Sequence, residues 1–327
     1  MQTYATCKLL EEAGHEVRVI NLIHPSTKYT YNHIRKWIDL FREFQFFLFK
    51  RKYFTGLTRK TYSLSYDNLP TADYYVVGSD QVWNKDITKP FYLDYFLRFV
   101  PDGIKRVALS SSFGKTDFDD DEAEINDIKN ELLKFLAISV REDSGVDILR
   151  NVFNINGIQL PDPTIGYGKF SHLLKSNKPK HQLYTFLFKN TAESKRIVSA
   201  CSSILDVPIF NNSRIHSYFR NGPIDWLSNI ANSDFVITDS FHGLALSLVF
   251  NKQFLVLCAD EKKFTRLSSL LRQVKLEKRY VRSYSDFLER KNELLAPIDY
   301  SIVNSILDRE KRRYSQFILQ TFTNENF

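Results

Sequence analysis

The sequence predicts an α/β protein built of two Rossmann-like halves, each a parallel sheet with helices on its faces. Three observations carry this. Short apolar strands such as 74–77 and 235–238 alternate with helix-length segments along the chain. Each strand runs into small or polar residues, the pattern found where ligands collect outside the carboxyl ends of an open parallel sheet. A cluster of turn residues, Gly157, Pro161, Pro163, Gly166 and Gly168, divides the alternation in two. With 327 residues, 43% of them apolar, the chain can fill two cores of about 150 residues each. The expected domains are 1–155 and 156–300, facing each other across a cleft, with a closing helix over 301–327 that can pack back on the first domain.

The elements follow in order. Thr3 to Glu12 reads as a helix ending at Gly14, and His15 to Leu22 as a strand. A parallel sheet normally begins with a strand before such a helix, so a first strand and its loop are expected to be missing ahead of the helix. Residues 31 to about 62 read as one helix rich in Phe and in basic side chains. Phe41, Phe44 and Leu48 at three-to-four spacing are expected to pack on the domain core, with a peripheral membrane contact as the other reading. Strands then end at Val77, Leu109 and near Val140, and an acidic stretch from Asp117 to Glu124 introduces a solvated, capped helix. In the second half, strands over 182–188, 207–212, 234–240 and 253–258 alternate with helices over 192–205, 223–233 and 242–250. Helices over 264–276 and 298–322 close the chain.

Polar clusters sit at the strand ends. Ser79 and Asp80 with Trp83 and Asn84 follow the strand ending at Val77; Ser110, Ser111 and Ser112 follow Leu109; Arg141, Glu142 and Asp143 follow Val140. Singly each is as well read as a cap or a salt bridge at a helix start; together they read as one site. Arg141 has the planar fork that grips a carboxylate or phosphate. Further on, the strand ending at Thr238 turns through Asp239 and Ser240 into a helix starting near His242 and Gly243, where backbone N–H groups and the helix dipole favour an anion. Ser240 or Asp239 serves equally well as an ordinary N-cap. His242 is placed for proton transfer, against the simpler reading of a structural imidazole.

Composition narrows the partners. The formal net charge of +7 suits an anion, whether a phosphorylated substrate, a nucleic acid or an anionic membrane. No nucleic-acid-binding signature is present, so nucleic acid is not expected. The 3 cysteines, Cys7, Cys201 and Cys258, are far apart in sequence and read as buried thiols of a reducing compartment, with no metal site. No leader-like segment opens the chain and no apolar run approaches the roughly 20 residues of a membrane span. A cytoplasmic location is expected, with the inner face of a membrane as its variant.

The stretches "LLEEAGHEVRVINL", "VVGSDQVWN", "VALSSSFG", "ISVREDSGVDIL", "LPDPTIG", "WLSNIANSDFVITDSFHGLALSLVFNKQF" and "RLSSLLRQVKL" are similar, in order and rough spacing, to those of the polysaccharide pyruvyl transferase family. The family usually opens with a short strand and an Asn-Tyr-Gly loop before a helix like "QTYATCKLL", which agrees with the missing strand. The resemblance implies a bacterial GT-B-like enzyme with no cofactor. It would move the enolpyruvyl unit of phosphoenolpyruvate onto paired hydroxyls of a sugar in a cell-surface polysaccharide, or of its lipid-linked precursor, forming a pyruvate ketal. It further implies that Arg141 and His242 lie beside the donor. Some branches carry an Arg where this chain has Ser240, so part of the anion contact passes to another residue, for which Arg266 is the candidate. On this reading Ser240, Gly243, Arg266 and Arg141 bind the donor. Asp80, Trp83, Asn84 and Ser112 bind the acceptor, Trp83 by its ring face. A nucleotide-sugar glycosyltransferase on the same scaffold, and a non-catalytic binder of glycan precursors, are the competing readings.

Overall fold

The computed structural model describes residues 1–24, 33–118, 120–175, 179–211, 222–257 and 261–322. They form two compact units, one of residues 1–26, 54–167 and 307–327, the other of residues 27–53 and 168–306. The change of unit thus falls after Tyr167 rather than after Ile155. The reason is local: the short strand at Ile158 extends the first unit's sheet, and the Pro163–Tyr167 turn of helix packs in the same unit, where a Cβ on Gly166 would come within 2.8 Å of the Tyr314 ring.

In chain order, α1 (Gln2–Glu12) leads into β1 (Val19–Leu22), and α2 (His33–Tyr53) belongs to the second unit. The first unit resumes with β2 (Leu57–Thr61), β3 (Tyr74–Val77), α3 (Lys85–Thr88), β4 (Lys105–Ser111), α4 (Glu122–Leu132), β5 (Phe135–Val140), α5 (Asp143–Asn151), β6 (Ile158–Gln159) and α6 (Pro163–Tyr167). Its strands form a parallel pair β1-β2 and a parallel sheet in the order β3-β4-β5-β6. Gly14 closes α1 at φ +92°, a conformation that side chains with a Cβ rarely adopt. The expected single helix over 31–62 is overturned at its end. The chain breaks after Tyr53 and continues as β2, because Gly56 packs where a Cβ would come within 2.2 Å of the Val17 carbonyl.

The second unit continues with β7 (Lys180–Phe186), α7 (Ala192–Leu205), β8 (Ile209–Asn211), α8 (Pro223–Asn232), β9 (Ser233–Thr238), α9 (Phe241–Val249), β10 (Gln253–Leu257), α10 (Glu261–Gln273), β11 (Tyr280–Val281) and α11 (Tyr284–Leu295). Its five strands run parallel in the order β11-β10-β9-β7-β8. Thr191 caps α7 by accepting from the Ser194 N–H, and Ser283 caps α11 from Asp286 in the same way. The last helix, α12 (Tyr300–Thr321), packs within the first unit from Leu307 on; there Arg313 Nη2 donates to the Gln159 carbonyl at 2.9 Å. The fold class is therefore α/β with parallel sheets and flanking helices.

Each unit has its own core. Val77, Ala108, Ile138 and Val140 meet Trp83, Phe96, Phe113 and Phe153 in the first, and Leu183, Ile237 and Leu255 meet Val198, Phe287 and Leu294 in the second. Cys7 and Cys201 are buried, and burial pushes both thiols up to about 12, Glu11 adding to the effect at Cys7. Cys258 lies outside the described residues. In a Cys258→Ser background, native protein is therefore expected to resist a thiol reagent at neutral pH and to take up two equivalents on unfolding. Fast labelling of the native protein would contradict this account of the thiols.

Candidate active site

The carboxyl ends of β3, β4, β5 and β6 deliver one polar network within the first unit. Arg141, only 1% exposed in its side chain, donates from Nε to Glu142 Oε1 at 2.8 Å and from Nη1 to Asp162 Oδ2 at 3.2 Å. Asp162 Oδ2 also accepts from Ser79 Oγ at 3.0 Å and Gln2 Nε2 at 2.9 Å, while its Oδ1 accepts from the Thr164 N–H and hydroxyl. Ser112 Oγ donates to Glu142 Oε1 at 2.9 Å and accepts from the Gly114 N–H. Burial alone would lower the Arg141 pKa, but Glu142, Asp162 and Asp80 outweigh it and raise it above the usual range for arginine, so the guanidinium is permanently charged. Fully buried charges persist only when paired and hydrogen-bonded in this way.

Beside this buried network, Asp80 is exposed and held at φ 99°, outside the regions open to a residue with a Cβ. Its Oδ1 accepts from the Gln81 N–H at 2.9 Å, and its backbone bridges to Ser111. Ser110, one strand over, is also left-handed at φ 54°. Backbone strain at adjacent strand ends marks a site whose geometry is maintained against local preference. Asp80→Gly is expected to be more stable than Asp80→Ala by about 1–2 kcal/mol, since only glycine adopts this conformation without cost. Equal melting temperatures for the two would show that the backbone at residue 80 is relaxed.

In the second unit the chemistry gathers where β9 meets α9. Ser240 Oγ accepts from the Gly243 N–H at 3.4 Å, and the Ser240 N–H donates to Thr238 Oγ1 at 3.1 Å. Gly243 is required sterically, because a Cβ there would come within 2.3 Å of Thr238 Oγ1. Asp239 is occupied with architecture: its two oxygens accept from the successive N–H groups of Phe188 and Lys189 at 2.8 and 2.9 Å. That clamp ties the loop after β7 to the loop after β9, and brings exposed Lys189 to the same end of the sheet as His242. His242, in the first turn of α9, is partly exposed, with its ring edge-on to Phe241 at 5.5 Å. Arg266 is half-buried on α10, which follows β10, the neighbour of β9.

Several expected site residues have other work. Trp83 is 1% exposed, stacked on Phe96 at 5.3 Å and bonded from Nε1 to the Tyr95 carbonyl, so its ring offers no face to a sugar. Asn84 is buried and caps α3, accepting from the Asp86 N–H through Oδ1 and donating to Gln81 Oε1. Ser112 is fully buried against Glu142, and Ser240 is the N-cap of α9. Arg141 donates from Nε to Glu142 and from Nη1 to Asp162 within this network. Glu142 belongs to a strand-end cluster legible in the sequence, whereas Asp162 and Gln2, which also hold the network together, were not among the expected site residues. Their signal was faint: Asp162 stands between two prolines and reads as a turn, and Gln2 lies far from its partners in sequence. Among the described residues, no group of three or more His, Cys, Asp or Glu side chains is arranged to hold a metal ion.

A family model described as polysaccharide pyruvyl transferase matches residues 1–257 of the chain. Among solved structures, the chain is similar to a functionally uncharacterised protein of Klebsiella pneumoniae subsp. pneumoniae at 12% identity, over 85% of this chain and 98% of that one. The TM-score is 0.45. No curated protein matches the chain.

Proposed function

The chain belongs to the polysaccharide pyruvyl transferase family, and from that premise we propose that it transfers the enolpyruvyl unit of phosphoenolpyruvate to two hydroxyls of one sugar, releasing phosphate and leaving a pyruvate ketal. The family match over 1–257 carries the reading, because it spans both the strand ends of the first unit and the β9–α9 turn of the second. The acceptor class is a sugar of a cell-surface polysaccharide, free or lipid-linked.

The chemistry is an addition followed by a substitution at one carbon. The methylene carbon of the donor takes a proton and becomes a methyl group, while a sugar hydroxyl oxygen bonds to the adjacent carbon and gives up its proton to a base. The resulting carbon bears carboxylate, methyl, phosphate ester and sugar oxygen. The second hydroxyl then bonds to it as the carbon–oxygen bond to phosphate breaks, and its proton leaves as the first did. One donor and one diol give one ketal and one inorganic phosphate, with no net oxidation.

His242 is assigned the proton transfers, which an imidazole performs near neutral pH. Donor anions are assigned to the first turn of α9, where the helix dipole favours negative charge, together with Lys189 and Arg266. Asp80 is assigned to the acceptor hydroxyls, and the Arg141–Glu142–Asp162 network to holding the β3 and β5 ends that present it. Phosphate release from phosphoenolpyruvate over a panel of sugars is the functional test. Acceptor-dependent release supports the assignment; silence across a broad panel together with retention of a nucleoside diphosphate sugar would replace it with the glycosyltransferase reading.

A further inference from the structure

The segment of α2 over residues 43–53 does not bury the aromatic side chains its sequence suggests. Phe44 and Leu48, expected in the core, are 50% and 42% exposed, and Phe46 and Phe47 are each 47% exposed. The Phe41 side chain lies outside the described residues. Phe49 is the buried one, 7% exposed, with Tyr53 packed on its ring at 4.9 Å, and Gln45 faces Gly222 at the start of α8. The inner face of this stretch is therefore Gln45, Phe49 and Tyr53. Phe44, Phe47 and Arg51 fall at i, i+3 and i+7 on the opposite face, the Phe44 and Phe47 rings stacked at 6.4 Å, and Leu48 lies at its margin, where it also lines the cavity shared by Gln45, Phe49, Tyr53 and residues 222–225. Lys52 is exposed beside Leu48, its ammonium over the Tyr53 ring at 5.2 Å, Lys50 is half-buried, and Glu43 is the one acid among these eleven residues.

We propose that this face of α2 docks the protein on an anionic lipid bilayer, with Phe44, Phe47 and Leu48 entering the interface and Arg51 and Lys52 on the headgroup phosphates. Charge complementarity favours this occupant. An apolar stripe with basic side chains along its margins matches an in-plane helix at a lipid surface, where long cationic side chains reach the headgroups while their stems stay apolar. A second copy of the chain meeting the same face would oppose the cations of one helix with those of the other. The chain's net charge of +7 acts in the same direction. Among the described residues no helix is long and apolar enough to cross a membrane, so the contact is peripheral. The inference goes beyond the pyruvyl-transfer reading and does not depend on it.

The test is co-sedimentation of the full chain with vesicles of phosphatidylcholine alone or of equal parts phosphatidylcholine and phosphatidylglycerol. Wild-type protein should bind the anionic vesicles at least about tenfold more tightly than the neutral ones, and high salt should release it. Phe44→Ser/Phe47→Ser/Leu48→Ser and Arg51→Glu/Lys52→Glu should each weaken binding about tenfold or more, with a cooperative melting transition retained in both. Absence of wild-type binding, or binding that neither variant weakens, overturns the proposal. So does a wild-type dimer in light scattering that the triple variant converts to monomer without any vesicle binding, which would assign the face to a second copy.

Discussion

His242→Ala is expected to lower the turnover of phosphate release by about 10²- to 10⁴-fold, the usual worth of a positioned proton donor or acceptor. The KM for phosphoenolpyruvate should change far less, because the anion contacts assigned to the α9 turn, Lys189 and Arg266 remain. The fold should tolerate the change: His242 is partly exposed at the helix start, and the cap is made by Ser240 and Gly243 around it. His242→Gln, which keeps a polar side chain but cannot titrate, should be nearly as inactive as the alanine variant. A variant with wild-type turnover would remove His242 from the chemistry and return it to a structural role. Stopped turnover with a lost melting transition would point the same way.

Arg141→Met should be the most destabilising single change in the first unit, costing about 3–5 kcal/mol, because it leaves carboxylates buried without their cation. Glu142 and Asp162 are 2% and 1% exposed, so water cannot take the place of the guanidinium. Ser112, Ser79, Gln2 and Thr164, among their other partners, are neutral groups that hydrogen-bond the oxygens without balancing the charge. The deficit relative to wild type should narrow as the pH falls. Protonation removes the charge the variant strands, so the variant's folded state binds protons more readily than its unfolded state and is relatively favoured in acid. Denaturant melts of the two proteins at pH 5 and pH 8 measure this. A cost under about 1 kcal/mol at both pH values would be that of an exposed ion pair, and would leave Arg141 available to a ligand.

Much of the fold can be read from the sequence because parallel strands buried on both faces are short uninterrupted apolar runs, as at 107–109 and 235–237, each ending abruptly in polar residues. The turn from Thr238 to Gly243 was legible as a strand–turn–helix for the same reason. What those polar residues do was not legible. Ser240 as a cap and Ser240 as a ligand have the same sequence, and only the 3.4 Å contact to the Gly243 N–H separates them. Trp83 sits three residues beyond an exposed aspartate, yet its ring turns into the core against Phe96 and Phe113, a choice made by partners distant along the chain. The Arg141 network draws on the ends of four strands and the start of α1, so no local pattern announces it. The outward turn of Phe44, Phe47 and Leu48 runs against the general tendency to bury such side chains.

The proposed product is a ketal, which the carbon NMR spectrum of the sugar product formed in deuterated water from phosphoenolpyruvate labelled at its three carbons will identify. Ketal formation predicts a quaternary carbon bonded to two sugar oxygens, and a methyl group carrying one solvent deuterium, with one phosphate released per sugar. A sugar-linked carbon that keeps its methylene partner, the signature of an enol ether, or phosphate released with no label on the sugar, would contradict it.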